Sequence, residues 1–197
     1  MNKMALSDYL GSVKTERTSF FMQPYDLAYE SFCLLGYDKE APEFFQQNAS
    51  LVVDSLRKEC WEKYVKKEKE FTSNMLKKLI DEDTVKDMKP EEAISWFAET
   101  YPEHIYQLNL SNTQSRRSRA GKEFESIIEL ILIGAKVPMD SQGNIGKASF
   151  LQKGLGKLVD AVSPGVIEFV INKRKTVLIS AKTTLRERWQ EVPEEMG

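Results

Sequence analysis

The hydrophobic period of this chain changes once along its length, and that change limits the folds open to it. Up to about Pro102, apolar residues recur at threes and fours through Leu51, Val52, Leu56, Trp61, Tyr64 and Phe71, the spacing of helices that each bury one face. Beyond Asn112 the apolar runs shorten. Residues 157–162, 166–171 and 176–181 are rich in Val, Ile and Leu and are bounded by Gly154, Gly156, Pro164, Gly165 and a turn over residues 172–175. They read as three strands of one sheet. The expected organisation is an amino-terminal helical lobe over residues 1–112 and an α/β core over residues 113–197.

Local signals refine this outline. Asn48 stands as an N-cap ahead of Leu51, and the charges at 66–70 form a solvated helical face. Pro90 to Thr100 suits a helix with Pro in its first turn and with Trp96 and Phe97 turned inward. The run QSRRSRAGK at 114–122 places four positive charges just ahead of an apolar helix over residues 123–133. A last helix begins near Thr183 or Thr184 and carries residues 185–189, with Pro193 as an interruption. A three-stranded sheet with an exposed edge, followed by a helix that starts as the chain stops, is an unfavourable domain end. The chain therefore reads as truncated at its carboxyl end.

A length of 197 residues, 41% of them hydrophobic and 29% charged, suffices for one substantial core with a helical elaboration. The formal charge of -2 does not announce a nucleic-acid partner, so any DNA-binding surface must be local. Cys33 and Cys60 lack CxxC spacing and have only His104 to join them, which argues against a structural zinc site and suits a reducing cytoplasm. No signal-peptide run opens the sequence and no eighteen-residue apolar stretch occurs. A soluble cytoplasmic protein is expected.

The strongest chemical signal is Asp160 in GKLVDAVSP, followed across one hairpin by Lys182 in VLISAKTTLRERW. Burying either ion unpaired costs several kcal/mol, so an apolar strand pair that holds both does so for a reason. Two readings fit: a structural salt bridge across the hairpin, or a reaction centre.

The series QSRRSRAGKEFE, GKLVDAVSP and SAKTTLRERWQEV resembles the EcoRII/SsoII branch of Type II restriction endonucleases in the PD-(D/E)XK superfamily, in particular its CCNGG-recognising members. The resemblance covers residues 114–195 by motif and the helical lobe by general character. It implies a PD-(D/E)XK restriction-endonuclease-like core and a Mg²⁺-dependent double-strand cut at CCNGG that leaves 5′-phosphate ends. Val159 stands where the superfamily's Pro precedes the first acid, and Ser180 where its second acid precedes the lysine. Mg²⁺ requires near-octahedral oxygen coordination, so the missing carboxylate must come from elsewhere. The branch takes it from the following helix, which by spacing gives Glu195; Glu191 and Glu194 remain rivals, since Glu187, Glu191 and Glu195 share one helical face. Glu125 resembles the branch's additional acid near the metal; otherwise it is an exposed helix glutamate. Asp160 and Glu195 would ligate the metal, and Lys182 would orient or deprotonate the attacking water.

For recognition, the resemblance assigns Arg186, Glu187 and Arg188 to the C:G pairs of CCNGG. Arginine can grip guanine O6 and N7 while glutamate accepts from cytosine N4; the alternative is a charged helix surface paired within itself. Gln114, Arg116, Arg117 and Arg119 would lie along the sugar-phosphate backbone or reach the minor groove. The branch expels the central nucleotide, and Arg57 and Trp61, one helical turn apart, would hold the extruded base by stacking. The competing view makes Trp61 core and Arg57 solvated. A palindromic-type site implies a homodimer, and a cognate DNA methyltransferase would protect the same site in the host. Two other functions stay open: a non-catalytic sequence-specific DNA-binding module, and a helical protein-interaction domain.

Overall fold

The computed structural model describes residues 4–155 and 159–182. Nine α-helices and three short strands are described: α1 Leu6–Phe20, α2 Pro24–Leu34, α3 Pro42–Lys77, α4 Glu82–Val85, α5 Pro90–Thr100, α6 Pro102–Gly134, β1 Asp140–Ser141, α7 Gln142–Ile145, α8 Lys147–Gln152, β2 Ala161–Ser163, α9 Val166–Ile171 and β3 Val177–Ile179. Among the described residues, those up to Met22 pack with Trp61–Ser118 as one compact unit, and Gln23–Cys60 pack with those from Arg119 onward as another. No helix among them is long and apolar enough to cross a membrane.

The first unit is helical. Tyr9, Val13, Phe21, Tyr64, Phe71, Met75, Leu79, Tyr101 and Leu108 are all buried. Phe21 lies 5.3 Å from both the Tyr64 and the Phe71 ring, the tilted aromatic packing that adds to plain area burial. His104 is buried with the Tyr9 ring 5.2 Å away and its Nε2 3.1 Å from the Met4 carbonyl, so it serves the core rather than a metal. Trp96 and Phe97 are half-buried against Tyr101, as the helical spacing of α5 implied.

In the second unit, helical residues Phe32, Phe45, Val52, Leu56, Ile127 and Leu130 are buried. A smaller cluster of Phe150, Leu155, Val159, Val162, Val166 and Phe169 is sealed by Ile145 and Leu178. The sheet has the order β1-β2-β3 with both pairings antiparallel. Ala161 faces Ile179 and Val162 faces Leu178, and this register decides what lies beside Asp160. Cys33 and Cys60 are not joined in a disulfide.

Several expectations change. Residues 166–171 form helix α9, not a strand. Val166 and Phe169, three apart, are its buried residues, and Asp140 Oδ2 accepts the Val166 N–H at 2.8 Å; packing and this cap override the β-propensity of Val and Ile. The third strand is instead β1, two residues long and too short to register as a hydrophobic period. The helix expected over 123–133 already begins at Pro102, so the basic run lies on α6 rather than ahead of it. Asn48 does mark a break, with φ -122° inside α3. Its side chain, however, donates to the Phe44 carbonyl at 3.0 Å, serving the turn before it rather than capping the turn after.

Candidate active site

Asp160 immediately precedes β2. Its N–H donates to the Ile179 carbonyl at 2.8 Å and its carbonyl accepts from Gln142 N–H at 2.9 Å, so the backbone is tied to both neighbouring strands' ends. Its carboxylate is oriented as firmly: Oδ2 accepts the Ala181 N–H at 2.7 Å and lies 3.4 Å from Lys182 Nζ. Both side chains are mostly enclosed, 16% and 21% exposed, where an ion pair is screened less than at an open surface. No hydrogen bond reaches Oδ1 among the described residues. One carboxylate oxygen is thus fixed by backbone and cation while the other is left to a further partner.

Glu125, on α6, completes the described part of the site. The residue is surface-exposed, yet burial of its carboxyl, and next the negative charge of Asp160, hold its proton affinity above the ordinary glutamate range. Lys182, Lys122 and Lys147 act in the opposite direction. A carboxyl whose ionisation is opposed by a neighbouring carboxylate is a natural place for a cation. Lys147, at the start of α8, had no role in the sequence reading; only folding brings it into range of Glu125. The described residues contain no group of three His, Cys, Asp or Glu placed to hold a metal. Glu195, with its rivals Glu191 and Glu194, lies outside the described residues, as do Arg186, Glu187 and Arg188.

Other candidates are distributed between the two units. In the first, Gln114 and Arg117 are exposed, and Arg116 pairs with the buried Glu68. Trp61 is 51% exposed with its ring stacked 6.2 Å from Tyr64, beside a shallow groove lined by Glu62, Val65, Lys66 and Lys69; it is not a core residue. In the second, Arg119 pairs with Glu123 at 3.1 Å, both side chains 13% exposed. The exposed Arg57 rests its guanidinium 5.9 Å from the centre of the Phe124 ring.

No protein-family model matches the chain. Its structure superposes with a TM-score of 0.88 on Ecl18kI solved metal-depleted in complex with uncleaved DNA, and equally on a second complex with uncleaved, modified DNA. Each match is 53% identical, covers 98% of this chain and spans 63% or 64% of the other. The fold matches that of Ecl18kI and, among the described residues, is mostly helical with a small antiparallel sheet. In sequence the chain is similar, over all of its length, to the Type II restriction enzyme SsoII of Shigella sonnei. The two are 54% identical and the chain spans 65% of the length of that relative. The resemblance read from the motifs is borne out at this level.

Proposed function

We propose that this chain is part of a Type II restriction endonuclease that binds duplex DNA and makes Mg²⁺-dependent double-strand cuts at CCNGG, leaving 5′-phosphate ends. The observation that carries the reading is the convergence of Lys182, Asp160 and Glu125 from β3's end, β2's start and α6. A structural salt bridge alone does not account for this arrangement, which adds a second carboxylate whose ionisation Asp160 opposes and in which Asp160 Oδ1 has no hydrogen bond among the described residues.

Asp160, through Oδ1, and Glu125 fit a divalent cation: both are hard oxygen donors and a cation would relieve their mutual repulsion. Glu195 is the proposed further ligand. Mg²⁺ bound there would offset charge on the phosphoryl oxygens and lower the pKa of a coordinated water. Lys182 has the chain's own part in the reaction. Its ammonium, braced by Asp160, neutralises a phosphate oxygen and holds the attacking water in line with the leaving 3′ oxygen. The Ala181 N–H keeps Asp160 from rotating as DNA enters.

For recognition the proposal assigns Arg186, Glu187 and Arg188 to base edges in the major groove, and Gln114, Arg116, Arg117 and Arg119 to the backbone. Arg57 and Trp61 would receive the extruded central nucleotide; the exposure of the Trp61 indole supports this over a core role. The enzyme would act as a homodimer in the cytoplasm, with a methyltransferase protecting host sites. The test is cleavage of CCNGG and scrambled duplexes with Mg²⁺, alongside a gel shift at stated salt. Wild-type protein is expected to cut only the CCNGG duplex, and Asp160→Ala to bind it without cutting. Undiminished cutting by that variant refutes the assignment, and affinity without cleavage under every divalent metal points to a binding module.

A further inference from the structure

We propose that Glu68 is a positioning residue that presents one edge of Arg116 to a DNA phosphate. The inference rests on the DNA-binding reading above and adds a residue to which neither motif nor spacing gave a role.

Glu68 lies on α3 in the first unit with its side chain 4% exposed. A buried carboxylate must be fully paired to be tolerated, and this one is. Arg116 Nε reaches Oε1 at 3.0 Å and Oε2 at 2.8 Å, Arg116 Nη2 also donates to Oε2, and Tyr64 Oη donates to Oε1 at 2.9 Å. Tyr64 and Glu68 are one helical turn apart, so α3 itself fixes the carboxylate's direction.

This grip uses only one side of the guanidinium. Nε and Nη2 face Glu68, while Nη1 makes no hydrogen bond among the described residues and the Arg116 side chain is 48% exposed. The planar fork leaves its Nη1–Nη2 edge outward, in the geometry that takes a phosphate through two parallel N–H donors. An unbraced arginine would lose side-chain entropy on binding; here much of that loss has occurred on folding.

Charge is the obvious objection, because a carboxylate beside a phosphate-binding arginine repels DNA. Arg17 answers it. Its guanidinium stacks 4.6 Å over Phe71, gives Nη2 to Asn112 Oδ1 at 2.6 Å, and keeps Nε and Nη1 buried without hydrogen-bond partners among the described residues. The charge of Glu68 also acts on Arg17, so two guanidinium groups are set against one carboxylate and the cluster keeps a net positive charge.

The sign of one substitution tests this. Loss of a negative charge near a polyanion should tighten DNA binding if Glu68 has only a structural role, whereas loss of a positioning group should weaken it. Affinity for a CCNGG duplex would be measured without divalent metal across a salt series, for wild type, Glu68→Gln, Arg116→Ala and the double variant. Glu68→Gln is expected to weaken binding on the order of tenfold and to lower the salt slope by about one, as Arg116→Ala does. In the Arg116→Ala background, where nothing is left to position, it should weaken binding no further. Arg116→Lys keeps the charge but lacks the second edge, and should lose affinity without unsettling the fold as deeply. Unchanged or tighter binding by Glu68→Gln, or wild-type binding by Arg116→Lys, overturns the positioning role alone. No duplex binding by wild type overturns the DNA reading as well.

Discussion

Lys182 Nζ lies 3.4 Å from Asp160 Oδ2, the same oxygen that accepts the Ala181 N–H. The pair is therefore held by the backbone of the residue next to the lysine, not by two flexible side chains meeting across a gap. Lys182→Ala is expected to reduce cleavage by about 10²- to 10⁴-fold, the usual worth of a positioned proton-handling group. DNA affinity should stay within a few fold and Asp160 should keep its Ala181 bond. Single-turnover cleavage beside equilibrium binding checks this; equal losses in both would assign Lys182 to binding instead.

Trp61 exposes half its surface while stacking on Tyr64, so Trp61→Ala should leave the melting temperature nearly unchanged. If its indole receives the extruded base, the variant should lose the fluorescence rise of 2-aminopurine placed at the central position of CCNGG. Stacking of this kind is worth roughly 1–3 kcal/mol per base. A fluorescence rise in the variant equal to that of wild type would remove Trp61 from the pocket.

Burial holds the Glu129 carboxyl above the ordinary range, with its Ser141 hydrogen bond partly opposing the shift. A raised carboxyl favours the neutral form in the folded state. The stability it contributes is present below the unfolded carboxyl's pKa and is lost as pH rises through the higher folded value. Glu129→Gln should therefore melt above wild type near pH 7 and converge on it near about pH 4, where the unfolded carboxyl titrates. An equal offset at both would show that Glu129 ionisation does not govern this slope.

Gly134 ends α6 directly against Phe45. A Cβ there would fall 2.7 Å from two atoms of the Phe45 ring, which is buried and stacked 5.7 Å from Phe32. Gly134→Ala should destabilise the fold by about 1–3 kcal/mol through overpacking, despite alanine's better helix propensity. Denaturant unfolding reads the difference, and a stabilised variant would mean that Phe45 yields without strain.

Much of the site was legible because its chemistry is carried by residue type. A carboxylate and an ammonium in two short apolar runs singled out Asp160 and Lys182, and strand register, across a connection that contains α9, then brought them together. Glu125 was reached only through the resemblance, since nothing in an exposed helix glutamate marks it. Lys147 was missed because its range to Glu125 depends on how the residues from Arg119 onward fold. Glu68 was missed for a similar reason: within the charge run at 66–70 it looked solvated, yet it is the one turned inward, towards Arg116 on another helix.

The sequence by itself determined the helical character of the first hundred residues, the break at Asn48, the existence of α5 and the two strand segments that bear the reaction centre. Each is a local property, written in spacing, capping and turn residues. Tertiary structure alone decided that residues 166–171 coil into a helix, that β1 supplies the third strand, and that the basic run lies within α6. Those outcomes turn on partners distant in sequence: Asp140 for the Val166 N–H, residues 161–162 for β1, and the buried Glu68 for Arg116. A period counted along the chain measures which face is apolar, and only packing determines what meets that face.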